Sequence, residues 1–244
     1  MLKSLELKGV QYYRRELPDT CISFLSKEGK KIFMEAMASG HMECYFKLAS
    51  QFRTQEEPTF CGLSSLVMLL NALEVDPGRI WKSPWRWYHE SMLDSCISMK
   101  DAIKEGINFN QFVQLAESHG LQTLSKMVDD KDSEESFRKV IQMCTQQEQC
   151  LMCLSYSREV LSQTGDGHFS PVGGYHPERD LILILDTARF KYPPHWIPLS
   201  LMFQAMQAKD MTTGKLYAIG AISVSKTKRI CCADESCSDL TTEE

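Results

Sequence analysis

Apolar residues recur at helical spacing through the first half of the chain and gather into short strand-like blocks through the second. Ser26 to Ser39, closed by Gly40, reads as a helix with an apolar stripe at Phe33, Ala36 and Met37. A shorter helix over Met42 to Ser50 is expected next. Leu63, Leu66, Val67, Leu70 and Leu73 set out a third, with Asp76-Pro77-Gly78 as its stop signal. Trp81 to Trp87 is aromatic and prolyl and reads as a packed loop near a cleft. Asn110 to His119, closed by Gly120, and Ser133 to about Cys144, with Asp132 and Glu135 as a cap pair, complete the main helices.

Strands are predicted at Cys150–Tyr156, His168–Tyr175, Leu181–Leu185 and Lys215–Val224, with Leu199 to Ala208 as a helix over one face of their sheet. A helical first half followed by a strand-rich second half argues α+β. No internal repeat or linker interrupts residues 1–224, which are read as one domain in two lobes. Residues 225–244 are expected to be a flexible, Cys-containing tail.

Composition narrows the classes. The chain has 244 residues, 43% hydrophobic, a formal net charge of −5, and no run long enough to span a bilayer. The N-terminus lacks the continuous apolar core of a secretory signal, so a cytoplasmic location is expected, with no membrane or nucleic-acid partner. The ten cysteines are spread through a large chain and are read as reduced thiols. Cys21, Cys44, Cys96 and Cys144 are expected as small buried or half-buried hydrophobes. Cys150-Leu151-Met152-Cys153 has metal-ligand spacing but lies in an apolar run that reads as a core strand. Cys231, Cys232 and Cys237, with two nearby carboxylates, are the better metal candidates, since soft thiolates favour Cd²⁺, Zn²⁺ and Cu(I). A polar tail with incidental thiols explains them equally well.

One constellation carries chemistry. Cys61 stands at the start of the third helix, where backbone N–H groups and the positive end of the dipole favour a thiolate. Together with an imidazolium they stabilise it by roughly 3 to 4 kcal/mol. Gln55 lies six residues upstream; His168 follows in Gly165-Asp166-Gly167-His168, and Asp186 ends the run from Leu181. This order suits cysteine acyl transfer: Cys61 attacks, His168 holds the ion pair and protonates the leaving amine, and Asp186 orients the ring. The Cys61 N–H and the Gln55 amide would form the oxyanion hole, one donor being worth about 2.7 to 4 kcal/mol.

Thr59-Phe60-Cys61-Gly62-Leu63, Lys82-Ser83-Pro84-Trp85-Arg86-Trp87, Gly165 to Pro171 and the tract Asp186 to Trp196 closely resemble the catalytic domain of phytochelatin synthase, from about residue 5 to residue 224. The resemblance implies a papain-like cysteine protease fold, a helical lobe carrying Cys61 and an antiparallel-sheet lobe carrying His168 and Asp186. It implies a transferase that cleaves glycine from glutathione through a Cys61 thioester and passes γ-Glu-Cys to glutathione or a growing phytochelatin. By motif, Cys61, His168 and Asp186 are the triad and Gln55 the oxyanion donor, while Arg158, Arg189, Lys191 and Tyr192 serve substrate carboxylates and the acceptor. Local arginines suit two carboxylates on a protein of negative net charge. Asp166 departs from the pattern, a neutral residue being commoner there. No organic cofactor is implied. Cadmium, zinc or copper would act largely as glutathione thiolates, hence as substrate, and a homodimer is implied by family habit. A deglycylating hydrolase using the same triad and an idle thiol-rich metal-binding module are the other readings. Product analysis separates the first two, and Cys61→Ser the third.

Overall fold

Residues 14–128, 131–209 and 217–224 are described in the computed structural model. The elements run β1 (Ile22–Ser23), α1 (Lys27–Ala38), α2 (Glu43–Ser50), α3 (Cys61–Ala72), α4 (Met99–Glu105), α5 (Phe109–Ser118), β2 (Leu121–Met127), α6 (Glu134–Thr145), β3 (Cys150–Ser157), β4 (Gly167–His176), β5 (Leu181–Ile184), β6 (His195–Pro198), α7 (Leu199–Gln207) and β7 (Ala218–Val224), with a 3₁₀ turn at Glu90–Met92. The strands form one sheet in the order β1-β6-β5-β4-β3-β7-β2, every neighbouring pair antiparallel. The fold is therefore mixed α and β on an antiparallel sheet.

The interior strand β3 is buried at every position, as a strand covered on both faces must be. Alternation sends Leu151 and Cys153 into a core shared with α1, α2, α3 and α5, and Cys150, Met152, Leu154 and Tyr156 into a second core with α6 and α7. Helices thus cover both faces of the sheet instead of gathering in one helical lobe, and β1 and β2 reach into it from the first half. Cys150 and Cys153 point to opposite faces, which rules out joint chelation and leaves the core-strand reading.

Helix starts follow local chemistry. Ser26 Oγ accepts from Gly29 N, and Asn108 with Gln111 forms a full capping box at α5. At α6 the expected cap pair is corrected: Ser133 Oγ accepts from Ser136 N, while Asp132 pairs with Lys126 at 2.6 Å. α3 is buried from Gly62 to Ala72, so its apolar residues run all round and not along one stripe. Asn71, near its end, brackets the backbone of Tyr88 with one bond to the N–H and one to the carbonyl.

Two further expectations are corrected. Trp85, 67% exposed, and its neighbours Trp81 and Trp87 stand out from the surface, so their loop is not packed into the cleft. Cys96 is exposed, whereas Cys21, Cys44 and Cys144 are buried as expected. Part of the predicted last strand and all of the tail, with Cys231, Cys232 and Cys237, lie outside the described residues. Among the described residues no helix is long and apolar enough to cross a membrane.

Candidate active site

Cys61 is the first residue of α3, half-buried at the floor of a cleft of about 390 Å³. As the first helical residue it directs its N–H where no intrahelical acceptor exists. Gly62 permits the close fit of α3 beneath this cleft: a Cβ there would lie 2.7 Å from Ile107 Cγ1 and 3.3 Å from Phe169 Cδ2. His168, near the start of β4, is paired with Tyr156 of β3, and Asp186 stands just beyond β5, the other neighbour of β4. Adjacent strands therefore deliver base and carboxylate side by side, and α3 brings the sulfur to them.

His168 Nε2 lies 2.8 Å from Asp186 Oδ1, and His168 and Cys61 line the same cleft, where the imidazole charge acts on the sulfur. Asp186 is fully buried, yet both oxygens are engaged: Oδ1 also accepts from Ala188 N at 2.9 Å, and Oδ2 from Arg158 Nη2 at 2.6 Å. Burial alone would raise its proton affinity, but the His168 and Arg158 charges hold it far below the usual carboxylate range. Burial likewise raises the Cys61 thiol, and the His168 charge and hydrogen bond, a Phe169 backbone bond and Arg158 overcome this, leaving it lower than an ordinary thiol. His168 moves the opposite way: burial and Arg158 lower it, but Asp186 and Cys61 raise it above an ordinary histidine. A lowered thiol against a raised imidazole favours the thiolate–imidazolium pair.

Of the residues predicted to handle substrate, Arg158 and Lys191 line this cleft. Arg158 is 3% exposed and built into the constellation, with Nη1 donating to Gln163 Oε1 and Nη2 to Asp186. Nη2 also lies 2.7 Å from His168 Nε2, two cationic donors meeting one carboxylate. Lys191 Nζ donates to Thr164 O at the rim, near the exposed Asp166. Arg189 is separated from them. Its guanidinium sits 4.6 Å over the Phe52 ring in a neighbouring hollow of about 540 Å³ that also contains Arg14. Tyr192 is buried, and its hydroxyl accepts from Thr164 N at 2.9 Å, so it braces the Gln163–Gly165 loop from behind and is not among the residues lining the cleft. Gln55 is buried too: Nε2 donates to Glu57 O at 2.8 Å and Pro58 O at 2.9 Å, and Oε1 accepts from Thr187 Oγ1 at 3.1 Å. Both amide hydrogens are engaged by the loop that leads into α3.

Gln163 and His195 escaped the sequence reading. Gln163 links Arg158 to His195 Nε2 at 3.0 Å, and His195 Nδ1 donates to Pro193 O at 2.8 Å. His195 was legible as part of a matched tract but not as part of this network, because its partners come from the 158–165 loop.

A family model described as phytochelatin synthase matches residues 12–217. Glutathione gamma-glutamylcysteinyltransferase 2 of Arabidopsis thaliana is 48% identical over 231 residues, covering 92% of this chain and 50% of that protein. Glutathione gamma-glutamylcysteinyltransferase of Schizosaccharomyces pombe is 50% identical over 204 residues, covering 84% and 49%. The chain spans about half the length of the curated relatives it matches. Among solved structures, a double glycine motif protease from an AMS/PCAT transporter, in complex with its leader peptide, aligns at 16% identity and a TM-score of 0.41, over 70% of this chain and 89% of that one. With a family model covering most of its length and relatives at about half identity, the chain belongs to the phytochelatin synthase family.

Proposed function

We propose that this chain is a γ-glutamylcysteine dipeptidyltransferase acting on glutathione through a Cys61 thioester. The observation that carries it is that Cys61 and His168 line one cleft, with the buried Asp186 hydrogen-bonded to the His168 ring, in a chain of this family. Cys61 S⁻ attacks the carbonyl of the Cys–Gly peptide bond. The tetrahedral oxyanion is met by the Cys61 N–H at the head of α3, with Gln55 as second donor once one of its amide hydrogens leaves the loop carbonyls. His168 protonates the departing glycine nitrogen, then as neutral base takes the proton from the α-amine of a second glutathione or phytochelatin that attacks the thioester. Asp186 holds the ring throughout.

Transfer requires the acceptor to outcompete water at about 55 M, and oriented groups can reach effective molarities of roughly 10⁵ to 10⁸ M. Arg158 and Lys191 supply positive charge to substrate carboxylates in the cleft, while Arg189 with Arg14 offers a second cationic surface in the adjacent hollow. Metal thiolates of glutathione fit as acceptor substrates, so cadmium, zinc or copper would enter with the substrate. A papain-like arrangement, with the nucleophile on a helix N-terminus and the base and carboxylate on a sheet, is part of this reading. So are a catalytic domain over residues 1–224, a Cys-containing tail beyond it, a cytoplasmic location and a homodimer. Monomeric elution on sizing would count against the last.

The test is incubation of the purified chain with glutathione, with and without Cd²⁺ or Zn²⁺, and measurement of glycine and thiol peptides by mass. Oligomers of (γ-Glu-Cys)n-Gly are expected, absent in Cys61→Ser. Glycine accompanied only by γ-Glu-Cys would make the chain a deglycylating hydrolase.

A further inference from the structure

Glu56, His89 and Glu90 converge away from the nucleophile, on the surface side of the loop that leads to it. One ligand atom from each, Glu56 Oε1, His89 Nε2 and a Glu90 carboxylate oxygen, lies within 4.8 Å of the others. His89 Nε2 is 2.9 Å from Glu56 Oε1 and 3.7 Å from Glu90 Oε2. Donors about 2.1 Å from one ion stand roughly 3.0 Å apart in octahedral and 3.4 Å apart in tetrahedral coordination, so these separations already bracket a shared ion.

The buried member needs explanation. Glu90 is fully buried, and neither carboxylate oxygen accepts a well-directed hydrogen bond. Arg53 Nη2 lies against Oε2 as an ion pair, but Arg53 Nε is itself buried without a partner, so the guanidinium is not squarely seated on the carboxylate. A buried carboxylate retains several lone pairs to satisfy, and leaving them bare costs free energy. With Glu56 the group holds two carboxylates against one guanidinium, a local excess of negative charge that a divalent cation would neutralise. His89 is held for such a role. Its ring is stacked at 20° on Trp81 with centroids 5.6 Å apart, and Nδ1 lies 3.0 Å from Ser91 Oγ. With Nε2 on an ion, the ring proton would sit on Nδ1 and donate to that hydroxyl, the outer-shell bond that ligating histidines usually make, and the 3.4 Å contact from Ser91 N would be given up.

We propose that Glu56, His89 and Glu90 form a binding site for a divalent cation of the Zn²⁺ or Mn²⁺ type, through one imidazole and two carboxylates. The donor set has no thiolate, so it favours these ions over soft Cd²⁺ or Cu(I). Glu56 follows Gln55, whose amide holds the Glu57 and Pro58 carbonyls, and Asn71 of α3 brackets Tyr88, next to His89. The bound ion would clamp the loop presenting Cys61 to the segment that α3 already holds. This site is independent of the acyl-transfer reading and stands or falls without it.

Mn²⁺ is the probe, because the thiols of the chain compete poorly for it. In a titration of the whole chain followed by the paramagnetic resonance of free Mn²⁺, one saturable site displaced by Zn²⁺ is expected. His89→Ala and Glu56→Gln should each weaken it at least about tenfold, and Glu57→Gln should leave it unchanged. On the unaltered protein, bound Mn²⁺ should broaden the ring protons of His89 ahead of those of His41 and His119, a readout that needs no variant. Absence of saturable uptake, uptake that His89→Ala and Glu56→Gln leave within about twofold, or broadening centred on another histidine would overturn the proposal and leave Glu90 as the buried partner of Arg53 alone.

Discussion

Arg158 Nη2 donates to Asp186 Oδ2 at 2.6 Å, and both side chains are almost wholly shut from water. The pair is not an isolated bridge, because Nη1 reaches Gln163 and the other Asp186 oxygen serves His168 and Ala188 N. Arg158→Met should leave the carboxylate charged, buried and half-satisfied, costing about 3 to 5 kcal/mol of folding stability. Arg158→Lys keeps the charge but loses the fork that spans Gln163 and Asp186, so it should fall between the two. Urea unfolding of the three proteins decides it. A loss of less than about 1 kcal/mol for Arg158→Met would mean that water enters and replaces the guanidinium.

The ion pair makes a signed prediction for pH. The reactive form exists above the lowered Cys61 value and below the raised His168 value. Asp186→Asn removes a charge that favours the imidazolium, so His168 should lose its proton at lower pH and the alkaline limb of glycine release should move down. The thiolate then loses part of its partner, and alkylation of Cys61 should begin at higher pH. Peptide-resolved mass spectrometry of iodoacetamide labelling between about pH 5 and 9 separates Cys61 from the exposed Cys96. Superimposable labelling curves for the two proteins would contradict the coupling.

Gln55 tests whether a side chain can serve the loop and the oxyanion together. Gln55→Ala removes the acceptor of the buried Thr187 hydroxyl and the side-chain donor of the Pro58 carbonyl, whereas the Glu57 carbonyl keeps the Phe60 N–H. Each unsatisfied buried group costs roughly 1 to 3 kcal/mol, so a clear fall in unfolding free energy is expected alongside a fall in glycine release. Lost turnover with unchanged stability would mean that the loop bonds contribute little and the oxyanion role stands alone.

Most helices were legible because start signals and apolar spacing act locally: Ser26 and the Leu63 to Leu73 ladder need no distant partner, whereas the seven-residue α4 was missed and the Asn108 cap of α5 lies two residues before the expected start. The Cys61, His168 and Asp186 positions were legible for a different reason, since each lies inside a recognisable motif. β2 was missed because an edge strand paired only to β7 carries weak alternation, and β6 because Pro193-Pro194 just before it reads as a break. Partners set by tertiary contact left no local signal. Nothing around Arg158 in sequence says that its guanidinium meets Asp186 28 positions on, and nothing around Gln55 says that its amide turns back onto its own loop.

His195 provides a stability signal apart from catalysis. It is buried, Nδ1 donates to Pro193 O, and Nε2 accepts from the Gln163 amide, so the ring is fully satisfied as a neutral group. Burial pushes its pKa down to about 4, against the opposing pull of Asp186. The unfolded chain therefore binds a proton between an ordinary histidine value and about 4 that the folded chain refuses, so stability must fall as pH falls through that window. The full effect is about 3 kcal/mol. His168, raised in the folded state, contributes fully below the ordinary histidine value and adds no slope there, while Asp186 acts only at lower pH. His41 and His119, both lowered chiefly by burial, tilt the curve the same way, so the comparison must be between proteins. His195→Gln keeps a donor and an acceptor without a titrating ring. Its unfolding free energy should depend less steeply on pH across this window than that of the unaltered chain, and equal slopes in the two proteins would show that His195 is not held neutral.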